Sequence, residues 1–283
     1  MPDAGRPDAA RPMEVVPGID SLVPANGRLF VVVGVFDGLH LGHLYLLRHL
    51  REAAAARHAR PAVITFDHHP DEIIIGAAPP LLCDPDERLA RLAAAGVAVT
   101  VVQHFDVALR MTSYEAFIRR IADRVDLAGL LMTPESAFGH ERRGTPEAVA
   151  ALGAEMGYDV EVVPSLDLDG RAVRSAEVRS DIATGELARA ARLLGRPYAV
   201  VGERAPSGGA WSDSQRVDLR FPMPVALPPA GTYAVRFEAE RSDRIDLDGD
   251  PAAQGSLDVG VGGAITLRAP AVPASPRLRV TFG

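Results

Sequence analysis

Gly34-Val35-Phe36-Asp37-Gly38-Leu39-His40-Leu41-Gly42-His43 is the stretch on which the fold turns. It follows an apolar run, Leu29 to Val33, and opens a segment whose apolar residues recur at Leu44, Leu47 and Leu50. The pattern is that of a buried strand, a turn and an amphipathic helix. A helix N-terminus carries unpaired backbone N–H groups and the positive end of the helix dipole, so such a corner is where an α/β protein holds a phosphate. Gly42 allows a phosphate close to the backbone. His40 and His43 add ring N–H donors at the same place.

Working outward, strand-like and helix-like runs alternate. Met13-Glu14-Val15-Val16 reads as a short edge strand and residues 44–59 as a helix rich in alanine and arginine. Pro61-Ala62-Val63-Ile64-Thr65-Phe66 is a second buried strand, bounded by Pro61 and Asp67. Asp84-Pro85-Asp86-Glu87 has the composition of a helix start, with Asp84 as N-cap, Pro85 at the first helical position and Glu87 at capping-box spacing, and Gly96 closes that helix. Residues 97–102 form a third strand, a helix starts at Thr112-Ser113, Leu130-Leu131-Met132 is a fourth strand, and residues 146–156 are a helix closed by Gly157. Residues 159–163 are a fifth strand, and residues 180–194 a final helix stopped by Gly195 and Pro197. This alternation predicts an α/β fold with a doubly wound parallel sheet, whose ligands sit beyond the carboxyl ends of the strands.

After Pro197 the helical pattern disappears. Short β-type runs at 231–237, 264–267 and 278–282, separated by glycine and proline, predict a small antiparallel β-barrel or sandwich. The expected division is a disordered leader over 1–12, an α/β domain over 13–196 and a reduced β-barrel domain over 197–283.

A net charge of -7 argues against broad nucleic-acid binding, which needs a basic face. All 30 basic residues are arginine, so a P-loop lysine is excluded and arginine must make any cationic phosphate contact. Cys83 is the sole cysteine, which excludes an intrachain disulfide and fits a reducing compartment. No run approaches the length of a membrane span, and residues 1–12 have no apolar core of the kind a secretory signal needs, so a cytoplasmic location is expected.

The H-x-G-H of residues 40–43 resembles the signature of the nucleotidylyltransferase superfamily. The longer G-x-F-D-G-x-H-x-G-H of residues 34–43 resembles the bacterial bifunctional riboflavin kinase/FAD synthetase family. Three further segments are similar to that family's motifs. Thr65-Phe66-Asp67-His68-His69-Pro70 is similar to T-F-x-P-H-P, with His68 where proline is usual. Phe138-Gly139-His140-Glu141-Arg142-Arg143-Gly144 is similar to F-G-x-x-R-x-G, although Thr133-Pro134-Glu135-Ser136-Ala137 before it departs from the flavin-side pattern. Val173-Arg174-Ser175-Ala176-Glu177-Val178-Arg179 stands at the place of I-S-S-T-x-I-R, keeping Ser175 and Arg179 but replacing the threonine with Ala176. Ser175 also reads as an ordinary N-cap. Arg179 opposes the dipole near a helix start, which favours a ligand role.

The resemblance implies a Rossmann-like nucleotidylyltransferase domain that moves AMP from ATP to FMN and releases pyrophosphate, with Mg²⁺ arriving on ATP. It implies catalytic roles for His40, His43 and Arg179. It implies nucleotide contacts from Gly34, Phe36, Asp37, Gly38, Gly42, Ser175 and Arg179, and acceptor contacts from Phe66, His69, Pro70, Phe138, Gly139 and Arg142. No residue is assigned to a resident metal. A rival metal reading of Asp67, His68, His69, His40 and His43 rests on competent ligand types but matches no zinc spacing. Two alternatives stay open: a nucleotidylyltransferase with another acceptor or nucleotide, and a non-catalytic flavin- or nucleotide-binding paralogue.

Gly195-Arg196-Pro197-Tyr198 resembles the family's junction to its riboflavin kinase barrel. The kinase G-F-P-T-A-N segment has its best counterpart in Arg220-Phe221-Pro222-Met223-Pro224-Val225, where Met223 and Val225 replace the threonine and asparagine that serve ATP and Mg²⁺. The barrel is therefore expected to lack riboflavin kinase activity.

Overall fold

The structure is a computed structural model that describes residues 12–205, 215–240 and 253–283. In chain order its elements are β1 (Glu14–Val16), β2 (Leu29–Val33), α1 (Leu41–Ala56), β3 (Arg60–Phe66), α2 (Pro70–Ile74), α3 (Pro85–Ala94), β4 (Val99–Gln103), α4 (Val107–Arg110), α5 (Tyr114–Ala122), β5 (Leu127–Met132), α6 (Pro146–Met156) and β6 (Asp159–Val162). They continue as β7 (Asp167–Leu168), β8 (Arg171–Ala172), α7 (Ser175–Ala183), α8 (Leu187–Leu194), β9 (Ala199–Arg204), β10 (Arg216–Arg220), β11 (Gly231–Ala239), β12 (Ala253–Val259), β13 (Ile265–Arg268) and β14 (Arg277–Phe282). The expected leader lies outside the described residues apart from Pro12.

The chain packs as two units. The first contains a six-stranded sheet in the order β1-β4-β3-β2-β5-β6, every neighbouring pair parallel. Its central strands are buried on both faces, so β2 and β5 read as unbroken apolar runs rather than alternating ones. Gly129 is required in β5 because a Cβ there would meet the Phe30 ring at 2.4 Å. Chain order runs outward in both directions from β2 and β5, which makes their carboxyl ends the switch point of a doubly wound sheet. The helices that cover the sheet are capped as the sequence indicates: Ser113 accepts the Ala116 N–H for α5, and α6 begins after Thr145 and ends at Gly157 in the left-handed region.

The second unit contains a closed antiparallel barrel, β10-β13-β12-β11-β14-β9, with β9 and β10 completing the ring. Closure leaves no free sheet edge. Strand β10 alternates exposed and buried residues, placing Val217 and Leu219 inside. Residues Phe36–His43 and Pro79–Arg91, and the chain from Leu166 onward, pack in this unit as well, so the packing does not divide at residue 196. Val178 and Ile182 of α7 and Leu194 of α8 share its apolar cluster.

Two local expectations need correction. The helix expected over 180–194 is two helices: α7 starts at Ser175, and Thr184-Gly185, with Gly185 at φ 81°, breaks the run before α8. The capping box expected at α3 gives way to an ion-pair network, in which buried Glu87 binds Arg91 at 2.6 Å and Arg279 at 3.2 Å. Asp84 does accept the Asp86 N–H, at 2.9 Å. No helix among the described residues is long and apolar enough to cross a membrane.

Candidate active site

The chain leaves β2 at the switch point and enters α1 through a loop of unusual backbone. Phe36 and Leu39 take positive φ values of 55° and 35°, which non-glycine residues seldom adopt, and Gly38 lies at 78°. Phe36, Asp37, Leu39 and His40 are all buried within the second unit. The surrounding structure has to hold such a loop in place, and it does so by three routes.

The first is Asp37. Both of its carboxylate oxygens accept the Leu82 N–H at 3.0 Å, and Oδ1 also accepts the Cys83 N–H at 3.3 Å. The guanidinium of Arg179 completes the set at 2.5 Å. The second is Arg196, which donates to the carbonyls of Gly38 at 2.7 Å and Leu39 at 3.3 Å. Burial lowers its pKa to about 10, so it stays a cation at neutral pH. The third is Ser175, whose hydroxyl donates to the Asp37 carbonyl at 3.1 Å. Ser175 is the first residue of α7, and Arg174 holds the N-cap position assigned to Ser175 in the ordinary reading.

The held loop presents His40 and His43. Their rings stack with centroids 3.7 Å apart and 15° between planes, and Phe36 packs against His43 at 5.0 Å. The Nδ1 of His40 accepts the His43 backbone N–H at 3.2 Å, which places the proton of the neutral ring on Nε2. Burial, then the nearby Arg196 and Arg179 cations, holds His40 down to about 4. Burial, then His40 and Arg179, holds His43 well below its ordinary value. Both rings are therefore neutral donors at physiological pH. The Nδ1 of His43 is buried and has no hydrogen-bond partner among the described residues. Gly42 has no room for a side chain, since a Cβ would meet the Val173 carbonyl at 2.7 Å and the His40 ring at 3.1 Å. Two unrelated demands, packing and an open helix end, thus fall on one glycine.

Arg179 is more constrained than a free phosphate ligand. Its Nε donates to the Pro80 carbonyl at 2.8 Å, and its side chain leans on Asp37. The sequence reading missed Leu82, Cys83 and Arg196. Only Arg196 carried a signal, inside the junction motif of residues 195–198.

The remaining expected residues belong to the first unit. Gly34 extends the β2–β3 pairing through its N–H to the Ile64 carbonyl at 3.0 Å. Phe66 ends β3, with its ring edge-on to Phe105 at 5.3 Å. His69 caps α2, its Nδ1 accepting the Asp71 N–H at 3.2 Å, and Pro70 takes the first helical position. Phe138 and Gly144 exchange backbone hydrogen bonds at 3.3 and 3.0 Å and close a small loop. Gly139 within it sits at φ 76°, where a Cβ would meet the Tyr114 N at 2.5 Å. Arg142 is exposed and donates to the Glu135 carbonyl at 3.3 Å.

The chain is similar to known proteins. The family model of FAD synthetase matches residues 23–177. A bifunctional riboflavin kinase/FMN adenylyltransferase of Pseudomonas fluorescens is 30% identical over 191 residues, covering 67% of this chain and 61% of that protein. The protein of the same description from Haemophilus influenzae is 30% identical over 192 residues, covering 67% and 62%. The chain thus spans less than two thirds of the length of these two relatives. Among solved structures, a Streptococcus pneumoniae protein described as a macrolide-efflux protein superimposes with a TM-score of 0.76 at 20% identity, covering 95% of this chain and 89% of that one. That likeness shows a shared fold.

Proposed function

Because this chain belongs to the FAD synthetase family, we propose that it catalyses adenylyl transfer from ATP to FMN, with release of pyrophosphate. The observation that carries this reading is the pair of neutral, stacked imidazoles at the N-terminus of α1, held on a buried and strained loop.

In the reaction an FMN phosphate oxygen attacks the α-phosphorus of ATP in line. The new P–O bond forms as the bond to the β-phosphate bridging oxygen breaks, and the electron pair leaves on pyrophosphate. No covalent enzyme intermediate is needed, so the protein supplies position and charge stabilisation. His40 donates from Nε2 to phosphate oxygens, and His43 and the first amides of α1 donate beside it. Arg179 and Ser175 brace the loop and add a cation beside the phosphates. The neutral state of both rings keeps their role to hydrogen-bond donation. Phe66, His69, Pro70, Phe138, Gly139 and Arg142 serve the acceptor.

Mg²⁺ is bound mainly through substrate phosphates and water. Asp37, the carboxylate in the histidine loop, is committed to Leu82, Cys83 and Arg179, so it would not hold the ion, which would arrive on ATP. Its chemistry there would be to neutralise phosphate charge. A cytoplasmic location and small-molecule partners, without nucleic acid or membrane, complete the reading.

The barrel carries no riboflavin kinase activity in this proposal, because the side chains of Met223 and Val225 offer no oxygen for a nucleotide-bound metal. A second reading, transfer to another acceptor, is favoured by one observation. Thr133 and Ser136 close a tight turn through hydrogen bonds at 3.0 and 2.9 Å in the segment that departs from the flavin-side pattern. Incubation with each nucleoside triphosphate, Mg²⁺ and FMN, followed by pyrophosphate and product mass, decides between them. FAD and pyrophosphate in equal amounts support the first reading. Pyrophosphate that requires an acceptor other than FMN supports the second, and no turnover with any pair overturns both.

A further inference from the structure

Asp67 follows β3 directly and His104 follows β4 directly. The two strands pair in parallel with Phe66 opposite Gln103, and the pairing runs one step further through the Asp67 N–H to the Gln103 carbonyl at 3.2 Å. This register sets two residues 37 positions apart side by side at the carboxyl end of the sheet. His104 Nδ1 lies 2.6 Å from Asp67 Oδ2, and His68 Nδ1 lies 3.2 Å from Asp67 Oδ1. One ligand atom from each of Asp67, His68 and His104 can be chosen such that all three lie within 4.8 Å of one another.

We propose that Asp67, His68 and His104 form a binding site for a borderline divalent metal ion of the zinc type. Imidazole and carboxylate are the ligand types such an ion takes, whereas Mg²⁺ and Ca²⁺ favour all-oxygen sets. Three protein ligands leave a fourth tetrahedral position for water, the arrangement of an open site. The carboxylate is already oriented by the backbone N–H groups of Phe105 at 3.1 Å and His68 at 2.8 Å, the outer support that metal-ligating carboxylates use. An ion pair with His104 alone accounts for one oxygen of Asp67. It gives no reason for a second imidazole on the other oxygen. His69 is spoken for as the cap of α2 and takes no part.

The test uses the full chain without a histidine tag, stripped with a chelator and titrated with Zn²⁺ by calorimetry. We expect one equivalent of Zn²⁺ that the double variant His68→Ala/His104→Ala does not bind, and in each single variant a loss of affinity at least as large as the roughly 10–100-fold seen when only an outer-shell partner is removed. His58→Ala removes an exposed histidine elsewhere and leaves this binding unchanged. Zn²⁺ also raises the melting temperature of the parent chain and not that of the double variant. Superimposable isotherms for parent and double variant would overturn the site, as would an equal loss in His58→Ala. None of these readouts involves nucleotide or flavin, so the result stands apart from the adenylyl-transfer reading.

Discussion

The guanidinium of Arg179 and the carboxylate of Asp37, separated by 142 positions in the chain, meet at 2.5 Å, with only 2% of the Asp37 side chain exposed. The pair locks the first turns of α7 to the histidine loop. A charge at that depth is tolerated only because its partner and two backbone amides surround it.

Removal of the guanidinium strands that charge. Arg179→Ala is expected to destabilise the chain by about 3–5 kcal/mol, the usual cost of an uncompensated buried charge. Arg179→Ala combined with Asp37→Asn should recover part of the loss. Urea denaturation of the parent, Arg179→Ala, Asp37→Asn and the double variant measures the coupling. Additive losses in the two substitutions would mean that the pair contributes nothing as a pair.

The depressed value of His40 makes stability depend on pH in a defined direction. Its folded pKa of about 4 lies below the unfolded value of 6.5, so the unfolded chain binds more protons between those limits. The contribution is complete above pH 6.5 and declines as the pH falls toward 4, by about 3 kcal/mol. His43, depressed by its burial, adds to the decline in the same direction. Denaturation at pH 7.5, 5.5 and 4.5 should show this slope in the parent and a shallower one in His40→Gln. Equal slopes would show that His40 is not the titrating group.

His43→Ala removes the ring stacked on His40 and, under the proposed reaction, one donor to developing phosphate charge. Turnover of FMN to FAD should fall by about 10²-fold or more. A thermal melt near that of the parent must accompany the result. Turnover within a few-fold of the parent would sink the assignment of this ring.

The parallel sheet was legible because its central strands are buried on both faces, leaving near-continuous apolar runs such as Leu29–Val33. The histidine loop was legible because strand, turn and helix follow one another locally. What holds that loop was not legible, for a physical reason. Arg196 grips the carbonyls of Gly38 and Leu39, and Asp37 grips the amides of Leu82 and Cys83, so the partners are backbone groups that any residue would provide. The Thr184-Gly185 break was hidden because apolar spacing continues across it into α8. Asp67 and His104 become neighbours only through the register of β3 on β4, which local pattern does not encode.

Cys83 is a structural thiol in this arrangement. Its Sγ accepts the Gly38 N–H at 3.2 Å, and burial, followed by the charges of Asp37 and Glu87, pushes the thiol up from its ordinary value. The thiolate is the reactive form, so the native chain should react with a disulfide reagent at pH 8 roughly 100-fold or more slowly than the chain in urea. Comparable rates in the two states would show that the loop around Gly38 opens readily.

The proposed absence of riboflavin kinase activity rests on two side chains, Met223 and Val225. Phe221, Pro222, Met223 and Val225 line a cavity of about 320 Å³ whose charged lining, Asp84, Asp86, Glu203 and Arg277, comes from other segments. Around Met223 and Val225 the main chain is also occupied, since the Pro224 carbonyl accepts the Leu81 N–H at 2.8 Å and the Ala226 N–H donates to the Leu81 carbonyl at 2.9 Å. Phosphoryl transfer depends on oxygen or charged donors around the phosphates and their Mg²⁺, and thioether and isopropyl groups supply neither. Purified chain incubated with riboflavin, ATP and Mg²⁺ should form no FMN, while the same preparation converts FMN to FAD. FMN formation at a rate comparable with that conversion would show that other groups of this unit serve in place of side chains at 223 and 225. The double substitution Met223→Thr/Val225→Asn then separates the remaining cases: a gain of FMN formation would place the defect at these two side chains.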